Sequence, residues 1–285
     1  MFGGKCMQYV LYNELSNNGK GKETVEVLKG KLTGDFEAIN VVGLDPKGFV
    51  DRLTADDIVI LCGGDGTLNK FANFTADLDI PCDILLFPAG NGNDFYRDIK
   101  ENYDDSEMPS IKKFLKDLPV VTIDGKQYRF LNGIGFGVDG VCCEMADDMK
   151  AAGKKDINYT SLSIKIVLFK FKCPHAWITV DGETVEYKKA WIASAMNGRY
   201  YGGGMKAAPE QDRLSDTLTC MVFKDKGRIG TLMGFPAIFK GEHVNNKKLV
   251  AVRTGKEITV KFDRPTALQI DGETVRGVTE YTARK

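Results

Sequence analysis

A glycine-rich turn directly after a short apolar run constrains the fold of this chain more than any other feature. The run Ile58–Leu61 has the length and the β-branched content of a buried strand, and Lys70–Phe74 can carry a helix. Between them, Gly63–Asn69 has three glycines within four residues, which let the backbone turn sharply and leave N–H groups uncovered. Strand, glycine turn and helix in this order present a helix N-terminus to a phosphate. The segment therefore predicts a phosphate site at the end of a strand.

The first 120 residues alternate between strand-like and helix-like segments. Strands are predicted at Met7–Tyr12, Phe36–Val42, the run before the glycine turn and Asp83–Phe87, and helices at Glu23–Leu32, Pro46–Leu53 and Ile111–Leu118. Such alternation is typical of a parallel sheet, in which ligands bind at the C-terminal ends of the strands. A polar loop from Asn13 to Gly21 and a second glycine loop, Pro88–Phe95, also follow strands. All three loops are therefore expected at one edge of the sheet.

The pattern changes near Pro119. Asp124-Gly125 predicts a hairpin between strands at Val120–Ile123 and Gln127–Ile134, a helix is predicted over Val138–Ala151, and Ser161–Lys172 is ambiguous. Short strands dominate the rest and predict an antiparallel β-sandwich: Ala176–Val180, Thr184–Met196, Leu218–Phe223, Lys248–Thr254, Glu257–Phe262, Ala267–Ile270 and Thr274–Gly277. We place the domains at 1–120 and 121–285 and leave open whether the last residues return to the first domain.

Composition excludes several classes of protein. Lys and Arg total 39, as do Asp and Glu, so a dedicated nucleic-acid binder is not expected. The seven cysteines show no CxxC spacing and predict free thiols in a reducing compartment. No segment resembles a secretory signal or approaches the about 18–20 apolar residues of a membrane span, so a cytoplasmic location is expected. The two histidines, His175 and His243, have no ligand spacing that predicts zinc.

Two features of the second half leave their role open. The pentapeptide at 181–185 is repeated at 271–275, and an Asp-Gly hairpin turn explains both copies without catalysis. The loop Asn197–Glu210 combines four glycines, two tyrosines and two cations, and is either a surface loop or a loop that closes over a ligand.

The chemistry of the first loop centres on Asp65. Its carboxylate is a candidate ligand for a Mg²⁺ ion that bridges phosphate oxygens, while Thr67 and Asn69 are candidate donors; a helix cap is the structural alternative for Asp65. A loop carboxylate of this kind is expected to contribute little to the core, so that Asp65→Asn would remove activity and leave the fold intact. In the second loop, Asn91 and Asn93 are either an opposite wall of the phosphate site or an Asx cap. The chain has no GxxxxGK[ST] motif.

Six motifs in order carry a resemblance that spans nearly the whole chain. The sequence resembles the diacylglycerol-kinase-like lipid kinase family, which includes sphingosine kinases and bacterial soluble lipid kinases, at Gly63–Asn69, Pro88–Phe95, Gly133–Asp139, Asn197–Pro209, Leu214–Leu218 and Asp271–Glu273. The resemblance implies a Rossmann-like nucleotide-binding domain of the NAD-kinase and phosphofructokinase type, followed by an antiparallel β-sandwich. It also implies Mg²⁺-dependent transfer of the γ-phosphate of ATP to the hydroxyl of a diacylglycerol-like lipid.

The resemblance also implies roles for particular residues. Those expected at the nucleotide are Asn13, Lys20, Gly63, Gly64, Asp65, Gly66, Thr67, Asn69, Asn91 and Asn93. A structural Mg²⁺ is implied at the carboxylate of Asp216 and the backbone carbonyls of Arg213 and Leu218. Glu273 is the favoured proton acceptor and Asp271 comes close behind; Asp65 is the other candidate, as metal ligand or base.

Three residues depart from the family pattern. The family usually has Pro where this chain has Glu14, often Glu at Lys70, and Thr or Ser at Asn91. The departures leave open a catalytically weak regulator that binds nucleotide or lipid. Because NAD kinases also use a GGDGT loop, an NAD-kinase-like enzyme with a soluble substrate is left open as well.

The expected partner is a membrane lipid, reached by peripheral contact with the inner face of the membrane. The apolar, lysine-bearing segment Ser161–Lys172 either lies on an anionic membrane or covers the sandwich core. No nucleic-acid partner is expected, and a homodimer is left open.

Overall fold

The computed structural model describes residues 6–19, 21–90, 92–154 and 157–285. The chain divides into two compact units between Leu118 and Pro119.

The first unit is built on a parallel sheet of four strands among its described residues, in the order β2-β1-β3-β4. The strands are β1 (Gln8–Tyr12), β2 (Phe36–Asn40), β3 (Ile58–Gly63) and β4 (Asp83–Pro88). The register aligns Tyr12 with Cys62, and Gly63 with Pro88, so the loops after β1, β3 and β4 start at the same edge. The predicted α/β class and the shared edge of the three loops are confirmed.

Helices connect these strands. They are α1 (Ser16–Gly19), α2 (Gly21–Lys29), α3 (Pro46–Val50), α4 (Asp65–Phe74), α5 (Asp94–Asn102) and α6 (Lys112–Leu115). The sequence did not predict α5, since most of its residues are polar. Phe95 and Ile99 are nonetheless one turn apart and buried, and the Phe95 ring meets that of Phe114 edge-on at 5.9 Å. The start of α2 at Gly21 also shortens the loop predicted after β1.

The second unit contains ten antiparallel strands within the described residues. The main order is β12-β11-β10-β7-β13-β14-β5-β6, and β8 pairs with both β13 and β9. The strands are β5 (Val120–Ile123), β6 (Lys126–Arg129), β7 (Gly133–Gly137), β8 (Ala176–Val180), β9 (Glu183–Tyr187), β10 (Ala190–Met196), β11 (Leu218–Lys224), β12 (Val250–Gly255), β13 (Glu257–Ile270) and β14 (Glu273–Arg284). The final strand, β14, therefore lies in the sheet of the second unit.

The long strand β13 bends so that its two halves face one core. Leu268 near its end pairs with Phe136 of β7, while Phe262 earlier in the strand stacks on the Phe136 ring at 4.0 Å. Register shifts between Lys261 and Leu268 mark the bend, as β-bulges do. The predicted antiparallel sandwich is confirmed, but two predicted strands, Gln127–Ile134 and Thr184–Met196, are each broken into two.

A helical layer covers the other face of the sheet. It consists of α7 (Val138–Ala151), α8 (Tyr159–Lys165), a π-helix (Ile166–Lys170), α9 (Arg228–Gly234) and 3₁₀ turns at Phe235–Lys240 and Glu242–Asn245. Helix α7 has the predicted bounds, whereas α9 was not predicted. The ambiguous segment buries Leu162 and Ile166 against Trp191 and Phe223, so one of its faces covers the core. Among the described residues, no helix has both the length and the apolar character needed to span a bilayer.

Candidate active site

The glycine turn after β3 packs closely against the loop after β4. A Cβ atom on Gly64 would lie 2.7 Å from the Cα of Gly90, and one on Gly63 would lie 2.6 Å from the side chain of Thr67. Real Cβ atoms do not approach other heavy atoms this closely, so both positions require glycine. The N–H groups of Thr67 and Leu68 donate to the carbonyl of Gly64, and α4 therefore begins directly at the turn.

The carboxylate of Asp65 joins the two glycine loops. Its oxygens accept hydrogen bonds from the backbone N–H groups of Asp94 at 3.0 Å and Phe95 at 2.9 Å, which lie in the first turn of α5. Asp65 therefore caps a helix 29 residues further along the chain. A carboxylate at this position also complements the positive end of the helix dipole. The expectation that Asp65 contributes little to the fold is wrong for this reason.

Asn93 closes the second loop on itself. Its side-chain oxygen accepts from the N–H of Gly90 at 3.0 Å, and its amide donates to the carbonyl of Gly90 at 2.7 Å. The residue adopts a left-handed conformation with φ of 49°, which asparagine tolerates better than most residues. Asn93 thus holds the loop that packs against Gly64.

An open cavity of about 410 Å³ lies beside these loops. Five of the residues predicted to bind nucleotide line it: Asn13, Gly64, Asp65, Gly66 and Thr67. It is also lined by Leu15, Ser16, Lys70, Gly90 and Gly92, which the sequence did not assign to the site. Gly63, Asn69 and Asn93 do not line it, and Asn69 instead accepts hydrogen bonds from the amide of Asn73. Lys20 and Asn91 lie outside the described residues.

The loop after β1 forms another wall of the cavity around Asn13. The Asn13 side chain accepts from the N–H of Leu15 at 2.9 Å, and its carbonyl accepts from the hydroxyl of Ser16 at 2.7 Å. A Cβ atom on Gly21 would lie 2.0 Å from the same carbonyl, so the start of α2 must be glycine. These contacts fix the loop at the same sheet edge as the glycine turn.

The cavity combines features that bind phosphate. The N-terminus of α4 supplies the positive end of a helix dipole and N–H groups, and Lys70 supplies a cation one turn further on. Asp65 is the carboxylate of the cavity wall. Mg²⁺ in nucleotide sites is commonly held by one or two carboxylates together with substrate phosphates. A Mg²⁺–nucleotide complex bound here would meet Asp65, the one carboxylate among the described residues that line the cavity.

In the second unit, the two copies of the repeated pentapeptide form the same turn. Asp181 and Asp271 have φ values of 48° and 47°, and the glycine after each also has positive φ, as in a type I′ hairpin. Both aspartates bind backbone of a neighbouring segment. Asp181 accepts from the N–H groups of Lys256 and Glu257, and Asp271 accepts from those at 131–133 at 2.5–3.0 Å. Asp271 is thus engaged in holding the start of β7.

The glutamates of the two copies differ in their surroundings. Glu183 lies 2.9 Å from the guanidinium of Arg253. The carboxylate of Glu273 is exposed and has no ion pair or side-chain hydrogen bond with any residue that the structure describes. Of the acidic pair at 271–273, Glu273 is therefore better placed to accept a proton from a substrate.

A half-buried acid to which the sequence assigned no role, Asp139, lies at the start of α7. The Asp139 carboxylate accepts from the hydroxyl of Tyr201 at 3.1 Å. A Cβ on Gly135 would lie 1.8 Å from Asp139 Oδ2 and 2.7 Å from Gln269 Nε2, so these side chains meet above that glycine. Although Asp139 keeps some exposed surface, burial raises its pKa to about 6, against the opposing effect of the Tyr201 and Gly140 hydrogen bonds. The signal in the sequence that could have identified Asp139 is an acidic residue directly after a glycine-rich strand.

Asp139→Asn is expected to stabilise the second unit at high pH but not at low pH. A raised carboxyl pKa means that the folded state favours the neutral form, so wild-type stability declines as pH rises from about 4 to about 6. The asparagine avoids this loss in the free energy of unfolding. The loss amounts to about 2–3 kcal/mol at a pH well above the raised pKa of Asp139. Urea unfolding at pH 4 and pH 8 measures the effect. An equal difference between variant and wild type at both pH values would contradict it.

Lysine ammonium groups contact oxygen atoms of the segment that the resemblance implies for a structural Mg²⁺. Asp216 is exposed and lies 2.6 Å from the ammonium of Lys256, which holds the pKa of the Asp216 carboxyl below its ordinary value. The carbonyl of Arg213 accepts from the ammonium of Lys285 at 3.2 Å. Leu218 is buried at the start of β11. Lysine ammonium groups therefore contact two of the three implied donors in the structure, and the Mg²⁺ site at this segment stays a prediction.

Arg213 has a different function in the structure. Its buried guanidinium donates to the carbonyl of Leu131 and to the side chain of Asn132. These are neighbours of the backbone that Asp271 binds. Asp271 binds the N–H groups of the segment before β7, and Arg213 binds a carbonyl and a side chain of the same segment. No local sequence pattern indicates these contacts.

Family models cover both units. A model of the diacylglycerol kinase catalytic domain matches residues 8–121, and a model of the YegS C-terminal NAD kinase beta sandwich-like domain matches residues 132–283. The chain belongs to the diacylglycerol-kinase-like lipid kinase family. This confirms the resemblance carried by the six motifs, and it makes the chain an ATP-dependent lipid kinase.

Individual relatives of this lipid kinase have low sequence identity to it but match over most of their length. It is 26% identical over 269 residues to a diacylglycerol kinase of Mycobacterium tuberculosis, which covers 90% of this chain and 84% of the relative. It is 25% identical over 245 residues to YtlR of Bacillus subtilis, provisionally named a lipid kinase, covering 78% and 75% of the two chains. A crystal structure from Bacillus anthracis, provisionally named a diacylglycerol kinase, matches with a TM-score of 0.67 at 20% identity over 98% and 92% of the chains. That structural likeness supports the fold.

Proposed function

We propose that this lipid kinase transfers the γ-phosphate of ATP to the hydroxyl of a diacylglycerol-like lipid with the help of Mg²⁺. The cavity at the start of α4 carries the proposal, because it joins a helix N-terminus, a carboxylate and a lysine in a space large enough for a polyphosphate. Phosphoryl transfer depends mainly on positioned phosphates, charge neutralisation and an oriented hydroxyl.

The proposal gives definite tasks to a few residues. The N–H groups at 64–66 would hold the phosphates, and Asp65 would hold a Mg²⁺ ion, which supplies neutralisation of the phosphate charge when bound. Lys70 adds a positive charge near the phosphates. In the second unit, Glu273 accepts the proton of the acceptor hydroxyl, a task that suits an exposed carboxylate without a competing partner.

A panel of acceptors tests this function. The protein is incubated with ATP labelled at the γ-phosphate and with diacylglycerol, a sphingoid base, a polyprenol or NAD, each lipid in mixed micelles. We expect label in the organic phase, with diacylglycerol as the best acceptor. Label in NADP alone would show an NAD-kinase-like enzyme, and ATP binding without any labelled product would show a regulator.

Lys70→Gln is expected to raise KM for ATP about five- to tenfold with a smaller change in kcat. The lysine lines the cavity, and a charge-assisted contact to phosphate at a partly solvated site is worth about 1–1.5 kcal/mol. Steady-state kinetics with varied ATP measure the effect. Lys100→Gln is the matched control, since Lys100 is an exposed lysine of α5 outside the cavity. An unchanged KM in the Lys70 variant would remove this lysine from the site.

A further inference from the structure

Large apolar side chains are exposed on adjoining parts of the helical layer in the second unit. The exposed fractions are 79% for Met233, 76% for Phe169 and 72% for Ile229. Ile229 and Met233 lie one turn apart on α9, so they project from the same side, while Thr231 between them is buried. Ile164 and Phe239 are also exposed. Single exposed apolar residues are common, but a cluster of this kind marks an interaction surface.

The elements that carry these side chains are held together. The Arg228 guanidinium of α9 donates to the carbonyl of Val167 in the π-helix and lies 5.9 Å from the ring centre of Trp191 beneath. The Phe235 ring lies 6.0 Å from Phe223 in the core and 6.4 Å from Phe239. The exposed residues are therefore displayed by one packed layer. We call Ile164, Phe169, Ile229, Met233 and Phe239, with the lysines around them, the apolar-basic face.

The charge around these residues has one sign. Segments 159–172 and 226–241 contain no Asp or Glu, although the charges of the whole chain balance. They hold six cations: Lys165, Lys170, Lys172, Lys226, Arg228 and Lys240. Lys165, Lys170 and Lys240 are exposed, and they form no ion pair with any residue in the described part of the chain. Such lysines are available to an anionic partner.

We propose that the apolar-basic face docks onto the surface of an anionic bilayer. Apolar side chains enter the boundary between headgroups and acyl chains, while lysines contact anionic headgroups, as in other interfacial proteins. Self-association of the face in a two-fold dimer would instead bring its cations against the same cations of the partner, which disfavours a second copy as occupant. The inference rests on the proposed function in one respect: a diacylglycerol-like acceptor resides in a bilayer.

Vesicle flotation without ATP tests the docking. The probe is a vesicle of phosphatidylglycerol and phosphatidylcholine, and the variant is Phe169→Ser combined with Met233→Ser. We expect its partition coefficient to fall at least about tenfold, because two large apolar side chains are lost from the interface. Phe74→Ser is the matched control: Phe74 is 58% exposed on α4 of the first unit, and its replacement should change binding less than twofold. Phosphatidylcholine alone, or high salt, should weaken wild-type binding.

Four further results decide between explanations. If the double variant floats like the control, the proposal is overturned. If the double variant changes only the association state in sedimentation velocity and leaves vesicle binding intact, a second copy occupies the face and the proposal is overturned as well. If the double variant loses vesicle binding but phosphorylates a water-soluble short-chain diacylglycerol at the wild-type rate, docking is supported. Docking without phosphorylation of any lipid would instead overturn the proposed function alone.

Discussion

Glu273→Gln is expected to lower kcat by about 10²- to 10⁴-fold, the usual contribution of a general base, and to leave KM for ATP nearly unchanged. The glutamine keeps the size and exposure of the side chain but does not accept the proton of the acceptor hydroxyl. Because Glu273 is exposed and its carboxylate has no partner among the described residues, the fold should not change. Initial rates of lipid phosphorylation measure the effect, with thermal unfolding as the check on folding.

The repeated pentapeptide supplies the control for this experiment. Glu183 occupies the same position after an Asp-Gly turn with the same backbone conformation, but its carboxylate pairs with Arg253. Glu183→Gln should therefore alter kcat less than about twofold, since an exposed ion pair contributes little. Equal losses in both variants would contradict the assignment of Glu273 as proton acceptor.

Asp65→Asn is expected to abolish measurable turnover, a loss of about 10³-fold or more, and also to destabilise the first unit. The substitution removes the carboxylate proposed to hold Mg²⁺, and charge stabilisation in phosphoryl transfer is worth several kcal/mol. It also replaces a charged acceptor for the N–H groups of Asp94 and Phe95, at a cost of about 1 kcal/mol. Kinetics and urea unfolding together measure the two effects.

Asp45→Asn separates the two roles of Asp65. Asp45 caps α3 by accepting from the N–H groups of Lys47 and Gly48, and it lies outside the cavity. Its replacement should cost a similar or smaller amount of stability and leave turnover unchanged. If Asp65→Asn kept wild-type turnover at a temperature where it is folded, the metal-binding role would be wrong and its cap role alone would remain.

The sequence predicted the fold where the signal is local. Apolar runs before glycine or polar loops identified all four strands of the first sheet, and the Asp-Gly pairs identified three hairpins. Errors occurred where tertiary contacts decide. Helix α5 is polar apart from its buried Phe95 and Ile99, and the break between β6 and β7 lies where Asp271 binds the backbone from a distant hairpin.

For the candidate site, too, the sequence predicted the contiguous parts and missed the contacts between distant segments. The glycine turn is contiguous in sequence, and four of its predicted nucleotide residues line the cavity, together with Asn13 of the loop after β1. The cap that Asp65 forms on α5 joins residues about 30 positions apart, and no local pattern reveals it. The sequence marks Lys70 only as a departure from the family, whereas the structure places it in the cavity wall. The lysines at Asp216 and Arg213 likewise come from distant segments.

The most direct test of the central claim follows the two ends of the ATP phosphate chain separately. The protein is incubated with diacylglycerol micelles and Mg²⁺, and with ATP labelled at either the γ- or the α-phosphate. We predict that γ-label enters the lipid extract as a phosphomonoester, that α-label does not, and that Asp65→Asn abolishes the transfer. An absence of γ-label from the lipid extract, with label appearing instead in NADP when NAD is present, would contradict the assignment of a lipid hydroxyl as the acceptor.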